Sequence, residues 1–257
     1  MFVIKTEAKT AYFVKMNLIP TQKNTKNIGL TKIESFFFQQ REAYDKLFPL
    51  ISSSTEIGIL ATNCDREFDE KSDKLYNGWN YKDLSASLNT LEYQDIMVPI
   101  QIKLKVAYKE KVNVTCVDDV GLIKEEDLEY SNLKAFKGFL DRLLESMDVE
   151  LVKFKRYSKA LLLDEKDKNQ DPILLAKNRI KDSIAKIEEI KLLKNKNMIS
   201  ALDKIKEDNI VIIITNDYDQ KILENKIENL KYVIQKVPVT EIKNDNEQIL
   251  ETAKNLR

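Results

Sequence analysis

The stretch that decides the fold is Ile210–Val237: IVIIIT (210–215), then NDYDQKILENKIENLK (216–231), then YVIQKV (232–237). An unbroken run of β-branched residues has the length of a strand buried on both faces, the signature of a parallel sheet. The segment that follows spaces Leu223 and Ile227 at helical intervals, and YVIQKV is again strand-like. A strand, a helix and a strand in this order predict a crossover between parallel strands.

Working outward, the same alternation recurs. IGILATN (57–63) and VNVTCV (112–117) read as further buried strands, and AYFVKMNLI (11–19), with imperfect alternation, reads as a strand. SFFFQQREAYDKLFPLI (35–51) and Leu133–Ser146 carry helical spacing, and further helices are expected at 149–163 and from Ile173 to about Lys206, the last broken near Asn195–Asn197. The expected fold class is therefore α/β: a mostly parallel central sheet covered by helices on both faces, in three layers. Residues 2–4 and 11–19 are expected to form an N-terminal β-hairpin. The chain reads as a single α/β domain, 1–257, with the N-terminal strands of 1–27 peripheral and the tail 241–257 helical or frayed. The polar stretch DEKDKNQDP (164–172) reads as a loop inside that domain.

Composition narrows the chemistry. The chain has no histidine, which removes Ser-His-Asp and Cys-His nucleophile systems, imidazole acid–base catalysis and histidine-ligated metals. Its 42 basic and 42 acidic residues cancel, so nucleic acid is not indicated as a partner. No run approaches the ~18 apolar residues of a membrane span, and the N-terminus lacks the apolar stretch of a signal peptide. Cys64 and Cys116 have no metal-ligand spacing and read as two buried free thiols. A cytoplasmic location is the resulting expectation.

Three expected strands end in acids: Cys64-Asp65, Asp118-Asp119, and Asn216-Asp217-Tyr218-Asp219. In open α/β sheets ligands bind beyond the carboxyl ends of the strands. Asp65, Asp118 and Asp217 or Asp219 could converge there, either as a Mg²⁺ site of oxygen ligands or with Arg41 as the neutralising cation. The competing explanation is local: Asp and Asn after a strand make turns and cap the next helix.

The order of these segments resembles the erythromycin esterase family and its distant TraB-like relatives over roughly 28–240. IGL (28–30) followed by SFFFQQR (35–41) is similar to that family's strand, G-E-x-x-H-G loop and E-F-F-Q-L-R helix, with Arg41 at the helical arginine. IGILATN stands for the strand ending Phe-Glu-Ala-Ser, Asp118 for the Asp closing the next strand, and IVIIITNDYD for the strand before His-Asn-x-His. The resemblance implies a histidine-activated water attacking an ester. Here the loop shrinks to Thr31–Glu34 without its histidine, Ala61 replaces the strand-end Glu, and the late histidines fall near Thr215–Asp219. The expectation is a non-catalytic binding or regulatory protein, a pseudoenzyme, with ligand-binding residues Arg41, Asp65, Asp118 and Asp217, no cofactor, and a protein partner or self-association. The alternatives are a carboxylate/Mg²⁺-dependent hydrolase or phosphoryl-transfer enzyme at the same strand ends, and a structural subunit of an assembly.

Overall fold

The computed structural model describes residues 9–16, 30–51, 56–62, 100, 104, 107–108, 111–117, 120–145, 171–242 and 245–255. The elements expected at 2–4 and 149–163 lie outside them. In chain order the elements are β1 (Thr10–Lys15), α1 (Leu30–Leu47), β2 (Ile57–Ala61), β3 (Val112–Cys116) and α2 (Val120–Glu145). They continue with α3 (Pro172–Leu202), β4 (Asn209–Ile214), α4 (Gln220–Asn229), β5 (Val233–Val237) and α5 (Asp245–Lys254).

The five strands form one parallel sheet in the order β3-β2-β4-β1-β5. The expected α/β class and the shared sheet of β2, β3, β4 and β5 are what the structure contains. β4 sits at the centre because its run of isoleucines and valine can be buried on both sides. The period of two sorts the side chains. Tyr12, Val14, Ile57, Ile59, Val211 and Ile213 meet Ala43 and Leu47 of α1 together with Ile100, Leu104 and Tyr108 on the first face. Ala11, Phe13, Leu60, Ile210, Ile212 and Ile214 meet Met198 and Leu202 of α3 and Leu223 and Ile227 of α4 on the second. Gly58 leaves room on that second face: a Cβ there would stand 2.8 Å from Ile205 Cδ1.

Four expectations are corrected. β1 is not peripheral: it is hydrogen-bonded on one side to β4 and on the other to β5, because four consecutive residues, Ala11–Val14, are buried. β3 is not a buried strand but an edge, with Asn113, Thr115 and Cys116 exposed. Cys116 is accordingly not a buried free thiol; it lies exposed at the end of that edge and is disulfide-bonded. Helix α3 also runs unbroken through Asn195–Asn197. Its start is capped by Asp171, whose carboxylate accepts the Ile173 N–H at 2.8 Å.

The chain divides into two compact units, 1–120 with 193–243 and 121–192 with 244–257, the boundary falling inside α3. The first holds the sheet. The second packs Tyr130, Leu133, Phe136, Leu140 and Leu143 of α2 against Leu175, Ala176, Ile180 and Ile187 of α3, and against Leu250 and Ala253 of α5. Polar bonds within it join Glu129 to the Ser183 hydroxyl at 3.0 Å and Lys186 to both Glu125 and Glu189. No helix among the described residues is long and apolar enough to cross a membrane.

Candidate functional site

The site begins where β4 ends. After Ile214 the chain turns through Thr215–Asp219 into α4, and Thr215, Asp217 and Asp219 are each held. The Thr215 hydroxyl donates to Asp217 Oδ2 at 3.0 Å and accepts the Asp217 N–H at 3.3 Å. Asp219 is the N-cap of α4, its carboxylate accepting the Ile222 N–H at 3.1 Å. Capping accounts for Asp219. The Asp219 N–H in turn donates to Asn195 Oδ1 of α3 at 2.9 Å.

Asp217 faces a cation from the chain itself. Lys194 of α3 is wholly buried, and its Nζ lies 3.6 Å from Asp217 Oδ2. A lone buried ammonium is costly in a medium of low dielectric, so a lysine at 0% exposure requires a carboxylate and hydrogen-bond acceptors around it. Ile187, Ile190, Lys194, Met198 and Leu202 follow one another at steps of three or four and are all buried. Lys194 therefore occupies an apolar position of the helix stripe, one turn beyond Met198 toward the carboxyl ends of the strands. That placement is the signal from which the residue could have been picked out of the sequence.

The neighbouring strand, β2, ends at Ala61, and the next residue, Thr62, is 3% exposed. Its hydroxyl has no hydrogen-bond partner among the described residues. By register it is one step short of Thr215, and alternation sets it on the face of Leu60, the α3 side. The chain leaves β4 toward α4 on the second face, whereas Ile100, Leu104 and Tyr108, on the return from β2, pack on the first. Such a parting of connections is where α/β sheets open a crevice.

Of the expected site residues, Asp217 stands in this arrangement. Arg41 is on the outer side of α1, with its side chain half-exposed and its Nε 3.5 Å from Asp45 Oδ2 on the same helix. Alongside Ala43 and Leu47, α1 also carries polar residues that bond to the chain around it. Gln40 accepts the Ile100 N–H at 3.0 Å, Gln39 donates to the Thr240 carbonyl, and Glu42 accepts both Lys46 and the Thr240 N–H. The Lys46 ammonium first, and the Thr240 N–H second, hold the Glu42 carboxyl down at a pKa of about 2. Asp65 and Asp118 lie outside the described residues. Among the described residues no group of acids or cysteines is arranged to hold a metal ion.

No family model, no curated protein and no solved structure matches this chain.

Proposed function

We propose that the chain is a non-catalytic binding or regulatory protein on an erythromycin-esterase-like scaffold. The observation that supports this reading is the Lys194–Asp217 pair. The carboxylate at the end of the central strand has its charge matched by a buried lysine. A divalent cation at Asp217 would have to sit within a few ångströms of that ammonium, and like charges at such a separation repel strongly where water is excluded. The absence of histidine from the whole chain supports the same reading, since the resembled family's ester chemistry rests on that residue. In this proposal Asp217, together with Asp65 and Asp118 by their places after β2 and β3, contacts the bound partner, and Arg41 offers an exposed cation on α1.

The test is a pair of measurements on the full chain. Mg²⁺ is expected to leave the melting temperature unchanged, because a ligand stabilises a fold only by binding its native state. Activated esters are expected to show no turnover, general acid–base assistance alone being worth about 10²–10⁴-fold. A Mg²⁺-dependent rise in melting temperature that vanishes in Asp118→Asn would replace this proposal with the carboxylate–metal enzyme. Ester turnover abolished by Asp217→Asn would do so as well.

A further inference from the structure

The chain has two cysteines, Cys64 and Cys116. Cys116 is disulfide-bonded and no cysteine among the described residues is free, so within one chain its partner is Cys64. The bond therefore ties the chain that follows β2 to the last residue of β3, the edge strand beside it.

Two observations bear on what this bond is for. The first is that the fold does not lean on it. Disulfides are indispensable in domains too small to build a core, whereas this sheet has an apolar core on each face. β3 is also held without the bond. Val112 is buried in the first core and Val117 in the second. Asn113 Nδ2 donates to Glu207 Oε1 at 2.7 Å, and the Val117 N–H donates to the Ala61 carbonyl at 2.9 Å. The second observation is access. Cys116 is exposed, and an exposed disulfide can be met by a thiolate from solution, whereas a buried one is protected.

We infer that the Cys64–Cys116 bond is a redox switch on the carboxyl end of the β2–β3 pair, opened and closed by low-molecular-weight thiols of the glutathione class while the sheet stays folded. The thiolate of such a thiol attacks the sulfur of Cys116, the S–S bond breaks, and Cys64 leaves as a thiolate. A second external thiol then displaces the mixed disulfide from Cys116. Two electrons and two protons pass to the chain, which ends with two thiols, and the external pair ends as one disulfide. Reduction removes the covalent tie at the Ala61–Val117 closure and leaves the anchors at Val112 and Asn113 in place. The inference is independent of what the strand ends bind.

The test exposes the full native chain to glutathione buffers of graded reduced-to-oxidised ratio, without denaturant, and traps thiols by alkylation for mass spectrometry. Reduced glutathione at millimolar concentration is expected to yield two alkylated thiols per chain, and oxidised glutathione to restore the bond. Amide hydrogen exchange is read on the same samples. On reduction the Val117 amide should exchange about tenfold faster, while the amides of β1 and β4 stay protected. Cys116→Ser should show the faster Val117 exchange in every buffer. A bond that yields only after denaturation overturns the inference, as does reduction that leaves Val117 unchanged. Loss of protection across β1 and β4 on reduction also overturns it, since the bond would then be a staple of the whole sheet.

Discussion

A charge buried inside the molecule makes unequal demands on its two ends, and Lys194 and Asp217 differ in how far water can reach them. Asp217 keeps 11% of its side-chain exposure and has the Thr215 hydroxyl beside it, whereas the Lys194 side chain is wholly buried. Removing the acid takes the facing carboxylate from a wholly buried ammonium; removing the lysine leaves an acid that water and a hydroxyl still serve. Asp217→Asn is therefore expected to lower the urea-unfolding free energy by about 3–5 kcal/mol. Lys194→Met should cost only about 1–2 kcal/mol, and should recover much of the loss when combined with Asp217→Asn. Arg41→Ala, a half-exposed partner of Asp45, should change stability by no more than about 0.5 kcal/mol and serves as the control. Equal and small effects at Lys194 and Asp217 would mean that the pair is energetically inert. The acid was legible in the sequence because it follows a strand that nothing but a central position explains. The cation was not, because in a helix so rich in lysine one more at position 194 looks like any other; only the apolar positions before and after it, Ile190 and Met198, set it apart.

At the level of elements, the runs of β-branched residues announced their strands, and the positions of those strands in the sheet were harder to see. VNVTCV looked as apolar as IGILATN, yet Asn113 and Thr115 alternate with Val112 and Val114, which is the pattern of an edge. AYFV carried no such alternation, and β1 is correspondingly walled in on both sides. α2 begins about thirteen residues earlier than its clear apolar spacing because buried Glu126 interrupts the stripe between Ile123 and Tyr130, much as Lys194 does in α3. The polar clamp between α1 and the residues after β5 makes its own prediction. Glu42 accepts Lys46 and the Thr240 N–H, and its carboxyl titrates at about 2 rather than at the usual 4.5. A carboxyl depressed in the folded state contributes its stabilisation in full above 4.5 and loses it as the pH falls toward 2. Because the group is partly solvated the contribution is about 1 kcal/mol. The difference in melting temperature between the native chain and Glu42→Gln should therefore shrink steadily over that window, and a difference that stays constant with pH would show that the clamp owes nothing to charge.

Over the whole molecule, the alternation of strands and helices was enough to foresee a parallel sheet between two helical layers. The second compact unit was not foreseen, since no break in composition marks its edges: the boundary falls inside the continuous helix α3, between Leu192 and Leu193. The disulfide at Cys116 was equally hidden, because sequence spacing reports metal sites far better than it reports which strand ends are neighbours. Native protein isolated without reductant is expected to show no thiol reactive toward Ellman's reagent until it is reduced, and two reactive thiols in the native state would restore the reading of free cysteines. The strand order carries one more consequence, for the chain as the ribosome releases it. β1 bonds only to β4 and β5, and β4 is also what joins β1 to the β2–β3 pair. The first strand to emerge must wait through almost two hundred residues of synthesis for its first neighbour, an interval of roughly 10–40 s at ordinary elongation rates. Through that interval Tyr12, Phe13 and Val14 have no sheet to join, which makes the nascent chain a natural client for chaperones that hold apolar segments until their partners are made.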